Sequence, residues 1–124
     1  MISYDLDDIS GILIIKAEGE VTEQDIIEKI NFVCDSPEIP NNIKLFTDFT
    51  RASLLFGPDA IERITTYVLE KVVRFNFVKE ALLIKEANIT ALAMLYQKGI
   101  EGTPVYKCRI FSDYESALHW LKND

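Results

Sequence analysis

With one histidine and two cysteines, this 124-residue chain is short of the side chains that build most metal sites and many catalytic centres. The cysteines, Cys34 and Cys108, are too few and too far apart in sequence for a metal knuckle, so no metal site is expected. Each falls on an apolar face, the usual place of a buried thiol. The glycines, Gly11, Gly19, Gly57, Gly99 and Gly102, sit at turns and element ends, and none forms part of a loop that could cradle phosphate. No apolar run approaches the roughly 20 residues of a membrane-spanning helix. The first ten residues, "MISYDLDDIS", lack both the basic start and the apolar stretch of a signal peptide, which makes a cytoplasmic location the expectation.

Basic charge is also scarce. Thirteen lysines and arginines stand against twenty aspartates and glutamates, for a net charge of −7. The basic residues are scattered, so no local patch offsets the repulsion of nucleic acid or an anionic membrane surface. What remains is the composition of a folded globule, 48% hydrophobic and 27% charged with four prolines. The length fits a single domain over residues 1–124 with a core that needs no covalent staple.

Strand and helix patterns alternate along the chain. "ISYDLDD" and "GILIIKAEG" read as two strands joined by a hairpin-length connection, "DDISG". In "EVTEQDIIEKINFVCDSP", Thr22 is placed as N-cap, Asp25 as its acidic partner in the first turn, and Pro37 as the stop. Ile26, Ile27, Ile30, Val33 and Cys34 then share about a third of the helical wheel. "IKLFTDF" has the apolar character of a strand buried between helices. A connection, "TRASLLFGPD", leads to a long helical pattern, "PDAIERITTYVLEKVVRFNFV", with Pro58 in its first turn and a stripe through Ile61, Ile64, Val68, Val72 and Phe75. "EALLIK" follows as a strand, then "NITALAMLYQKG" as a helix capped by Asn88 and stopped at Gly99. "VYKCRIF" alternates, with Lys107 and Arg109 on the outer face as suits a sheet edge. Ser112 and Glu115 are spaced as a capping box for a last helix, whose stripe is Tyr114, Ala117, Leu118 and Leu121. The order is β-β-α-β-α-β-α-β-α, an α/β domain with a mostly parallel sheet, an antiparallel first strand and four helices.

This order, together with "GEVTEQDI", "KLFTDFT" and above all "RIFSDYESALHWL", resembles the SpoIIAA-like (STAS) family, and most of all its small stand-alone bacterial STAS/SEC14-like proteins. The resemblance spans essentially the whole chain and rests on packing and capping motifs rather than on catalytic ones. It implies a regulatory module that docks a protein partner. In the anti-sigma factor antagonists of the family, a serine in an Asp-Ser-Gly context at the start of the helix after the third strand is a phosphorylation switch. Here the hydroxyls in that region are Thr50 and Ser53; Ser53 is the candidate phosphosite, and neither has that context.

The same region holds three consecutive apolar residues, Leu54, Leu55 and Phe56, where a loop would normally be polar, and Tyr67 follows on the next helix. They are the candidate binding residues. Their occupants are core, a protein partner or second copy of the chain, or a small apolar ligand of the kind that a resemblance to SEC14-type lipid binders implies. No catalytic constellation or cofactor is expected. His119 falls on the exposed side of the last helix, and Asp48, near the carboxyl end of a central strand, has the pattern of a turn-capping aspartate. The function expected is a non-catalytic interaction module, with a carrier or sensor of a small apolar ligand as the alternative.

Overall fold

A computed structural model describes residues 1–123 and contains, among them, five strands and four α-helices: β1 (Ile2–Asp7), β2 (Ile12–Val21), α1 (Glu23–Asp35), β3 (Asn42–Leu54), α2 (Pro58–Lys71), β4 (Phe77–Leu83), α3 (Ala87–Ile100), β5 (Tyr106–Phe111) and α4 (Tyr114–Lys122). The strands form one sheet in chain order, with β1 antiparallel to β2 and every later pair parallel. This is the α/β architecture expected from the sequence. A sheet that advances one strand at a time puts its crossover helices on one side. Accordingly, α1, α2 and α3 bury Ile26, Ile30, Val33, Ile64, Val68, Ile89 and Ala93 against Leu13, Ile15, Leu45 and Leu82. The other face is covered by α4, whose Ala117 and Leu121 are fully buried against Ile12, Phe46, Ala81 and Leu83.

Local signals explain most element ends. Thr22 and Asp25 make the reciprocal capping box at the start of α1, with the Thr22 hydroxyl accepting from the Asp25 amide at 3.1 Å and the Asp25 carboxylate accepting from the Thr22 amide at 2.9 Å. Pro58 occupies the first turn of α2. Several expectations are corrected. The N-cap of α4 is Asp113, which accepts from the Ser116 amide; a carboxylate one residue closer to the helix replaces the Ser112–Glu115 box. The cap of α3 is Glu86 rather than Asn88, its two carboxylate oxygens accepting from the amides of Asn88 and Ile89. The long helical pattern stops at Lys71, passes through a 3-10 turn at Val72–Arg74, and gives Phe77 and Val78 to β4. And β3 runs on to Leu54, through residues that read as a connection.

That extension involves a bulge. Between Lys16 and Glu18 of β2, β3 advances from Asp48 to Arg51 and so carries one extra residue. Asp48 accommodates it by accepting from both the amide (2.8 Å) and the hydroxyl (2.6 Å) of Thr50.

Gly99 is not the stop of α3 but lies inside its last turn. A Cβ there would stand 2.8 Å from Cγ2 of Thr65 in α2, and Thr65 is pinned by its hydroxyl bond to the Ile61 carbonyl. The absence of a side chain lets the two helices approach. Gly99→Ala is therefore expected to lower stability by about 1–3 kcal/mol, overpacking outweighing the gain in helix propensity. Adding Thr65→Ser, which removes Cγ2, should restore the loss; chemical denaturation of the three proteins checks both effects.

Candidate functional site

Most of β4 faces apolar neighbours on both sides, yet two consecutive residues in it are charged. Because side chains alternate across a strand, Lys79 and Glu80 point to opposite faces of the sheet. Both are buried. Glu80, on the three-helix side and 1% exposed, is the centre of a polar cluster. Its Oε2 accepts from Lys29 Nζ of α1 and from the Thr47 hydroxyl of β3, each at 2.6 Å. Its Oε1 accepts from the Tyr106 hydroxyl of β5. The Tyr96 hydroxyl of α3 lies 2.8 Å from that of Tyr106.

Burial alone would push the Glu80 carboxyl up. The Lys29 charge and the bonds from Lys29, Thr47 and Tyr106 outweigh it and hold the group below the ordinary glutamate value. The tyrosines go the other way. Burial, reinforced by the Glu80 charge, raises Tyr106 and Tyr96 well above the ordinary phenol range. Burial likewise raises both thiols; at Cys108 the Glu80 charge adds to it. Both shifts disfavour the thiolate, the form in which a cysteine is nucleophilic; Cys34 is buried and Cys108 half-buried.

Above this cluster lies a half-enclosed cavity of about 60 Å³. Lys29, Glu80 and Tyr96 contribute its polar part, and its walls are otherwise apolar: Ile26 and Ile30 of α1, Phe49 and Leu54 of β3, Ile61 and Ile64 of α2, Leu82 and Ile84 in and after β4, and Ile89, Leu92 and Ala93 of α3. Phe56, in the connection from β3 to α2, completes it. The cavity lies towards the carboxyl ends of β3 and β4, the end of a parallel sheet at which α/β folds place their ligands.

The sequence-predicted residues divide. Leu54 and Phe56 turn inward and line the cavity, whereas Leu55 points outward and is 54% exposed. Tyr67 lies apart, its hydroxyl donating to Asn31 Oδ1 across the α1–α2 contact. Ser53 is exposed in β3, paired with Glu20 of β2, and the N-cap of α2 is Gly57, which has no side chain to cap the helix. A phosphate on Ser53 would face the Glu20 carboxylate rather than a helix N-terminus. Asp48 is engaged by the β3 bulge, and His119 is exposed on α4, with Nδ1 3.3 Å from the Asn123 amide nitrogen.

Sequence reasoning missed Lys29, Thr47, Glu80, Tyr96 and Tyr106 as a group. The available signal was "KE" at the start of an otherwise apolar central strand, where a charge is rare unless paired.

No protein-family model matches the chain, and no curated protein matches it. A solved structure that resembles it is that of an uncharacterised protein of the DUF3478 family, with a SpoIIAA-like fold, from Shewanella loihica PV-4. The two are 19% identical with a TM-score of 0.61, over 98% of this chain and 92% of that one.

Acid should weaken the Glu80 cluster. A carboxyl whose value is lowered on folding contributes stability that is present above the unfolded value, about 4.3, and is lost as pH falls through the folded one. Glu80→Gln should therefore flatten the pH dependence of stability below about pH 4.5 in urea titrations. Lys29→Met, which strands the carboxylate, should cost about 3–5 kcal/mol at neutral pH. Taken together, sequence order, sheet topology and the structural likeness show that the chain has a SpoIIAA-like fold.

Proposed function

We propose that this SpoIIAA-like domain is a non-catalytic binding module that holds a small, mostly apolar molecule between its sheet and helices α1, α2 and α3. The observation that carries the reading is the cavity itself, with apolar walls and a polar cluster at one side. Its 60 Å³ exceeds the roughly 10–15 Å³ that one water requires. It is smaller than an engineered cavity of about 150 Å³ that takes benzene, so an occupant of a few heavy atoms suits it as it stands. Left empty, such a volume costs on the order of 1.4 kcal/mol, at about 24 cal/mol per Å³. A ligand would recover part of that.

A second reading, docking of a protein partner or a second copy of the chain, is supported by Leu55. This exposed apolar residue borders a surface groove shared with Ile27 and Pro58. The two readings differ in what they require of the interior. Native mass spectrometry of detergent-free protein should show added mass that vanishes on denaturation if a ligand copurifies. Independently, xenon under pressure should shift the methyl signals of Ile26, Ile64 and Ile89 and leave that of Ile12, on the opposite face of the sheet, unmoved. Ala93→Val, which adds two methyl groups to the wall, should abolish those shifts while the protein stays folded. Unmoved methyls in the unsubstituted protein would mean a filled interior and favour docking through Leu55.

A further inference from the structure

The proton positions in the Glu80 cluster follow from its geometry, and they restrict what the cavity can accept. Tyr106 has one hydroxyl hydrogen, and it goes to Glu80 Oε1, because a carboxylate can only accept. In the 2.8 Å contact between the two tyrosines, Tyr96 must then be the donor. The hydrogen of Tyr96 is thus committed away from the cavity, and its oxygen keeps a lone pair. Lys29 is the opposite case. An ammonium has three N–H groups, and among the described residues Lys29 makes one hydrogen bond, to Glu80. Its side chain is 12% exposed and lines the cavity. What the polar side of the cavity offers a visitor is therefore N–H donors from Lys29, with an acceptor oxygen on Tyr96 nearby.

Charge narrows the class further. Lys29 and Glu80 neutralise each other at 2.6 Å. A carboxylate or ammonium brought into the same apolar enclosure would add an uncompensated charge, with the desolvation cost that follows. A neutral oxygen adds none. Accepting from Lys29 also relieves donors that otherwise have little water to meet.

Resting on the ligand-binding reading above, we infer that the cavity selects small neutral molecules, apolar over most of their surface, that carry one acceptor oxygen, a carbonyl or a hydroxyl, to be bound by Lys29. A hydroxyl gains a second contact by donating to the Tyr96 oxygen.

Five probes of four heavy atoms each test this: isobutane, acetone, propan-2-ol, acetate and isopropylamine, titrated into methyl-labelled protein and followed by the Ile26, Ile64 and Ile89 signals. The ketone and alcohol are expected to bind at least tenfold more tightly than the carboxylate and the amine. In the double variant Lys29→Met/Glu80→Gln, ketone affinity should fall at least tenfold while isobutane changes less than threefold. Equal binding of the charged heads, or a ketone indifferent to the double variant, overturns the assignment and leaves the ligand-binding reading intact. If no compound moves the methyls, isobutane included, that reading fails and the assignment with it. The head-group ranking is measured on the unsubstituted protein, so it decides the matter even if the double variant does not fold.

Discussion

A single buried carboxylate ties this fold together. Glu80 sits in the middle of the sheet, where an isolated charge could not stay ionised, and every group that keeps it so comes from a different element: Lys29 from α1, Thr47 from β3 and Tyr106 from β5, with Tyr96 of α3 behind Tyr106. Apolar packing is forgiving about register, since one aliphatic side chain can replace another at modest cost. A carboxylate with three directed partners is not. Sliding β5 by one residue would turn Tyr106 to the other face and orphan an oxygen of Glu80. The cluster thus fixes the positions of two helices and three strands at once, although a buried ion pair contributes little to net stability.

The neighbouring lysine makes the complementary arrangement on the opposite face. Lys79 donates to the carbonyls of Trp120 and Asn123 at the end of α4, and its ammonium lies 4.5 Å from the centre of the Trp120 ring. A cation at a helix C-terminus satisfies carbonyls that the helix itself leaves open and complements its dipole. Two adjacent residues of one strand therefore organise both layers of the molecule, one by drawing in the three-helix layer and the other by holding the end of the single helix.

Elements governed by local chemistry were legible in the sequence. The Thr22–Asp25 box, Pro58 at the start of α2, and the alternation of Tyr106 to Ile110 each depend on near neighbours, and each stands where the pattern put it. The caps of α3 and α4 moved by a residue or two to the nearest suitable carboxylate, whereas the two larger shifts were set from a distance. The apolar stripe of α2 continues to Phe75, but pairing of Phe77 with Asn42 draws that segment into the sheet. Pairing of Ser53 with Glu20 and of Leu54 with Val21 likewise prolongs β3. The site was half visible: three apolar residues in sequence marked the wall that Leu54 and Phe56 form, while its polar side is assembled from residues up to 67 positions apart, Lys29 and Tyr96. No spacing rule links them.

The same extension of β3 bears on how a small molecule would reach the interior. Pairing with β4 ends at Asp48 and Leu83, whereas pairing with β2 resumes past the bulge and continues to Leu54, so the last stretch is a ribbon of two strands. Such a ribbon has little stability of its own. Segments of this kind are the ones that open by local fluctuation before the body of a sheet does. Leu54 ends this ribbon and Phe56 follows it. An opening of this ribbon would part the apolar wall and leave the carboxylate cluster, anchored in β3, β4 and β5, in place. If the cavity holds a ligand as proposed, entry and recognition would be separated in the chain: the way in would be a parallel strand pair that can fray locally, and the groups that meet the ligand sit in the core.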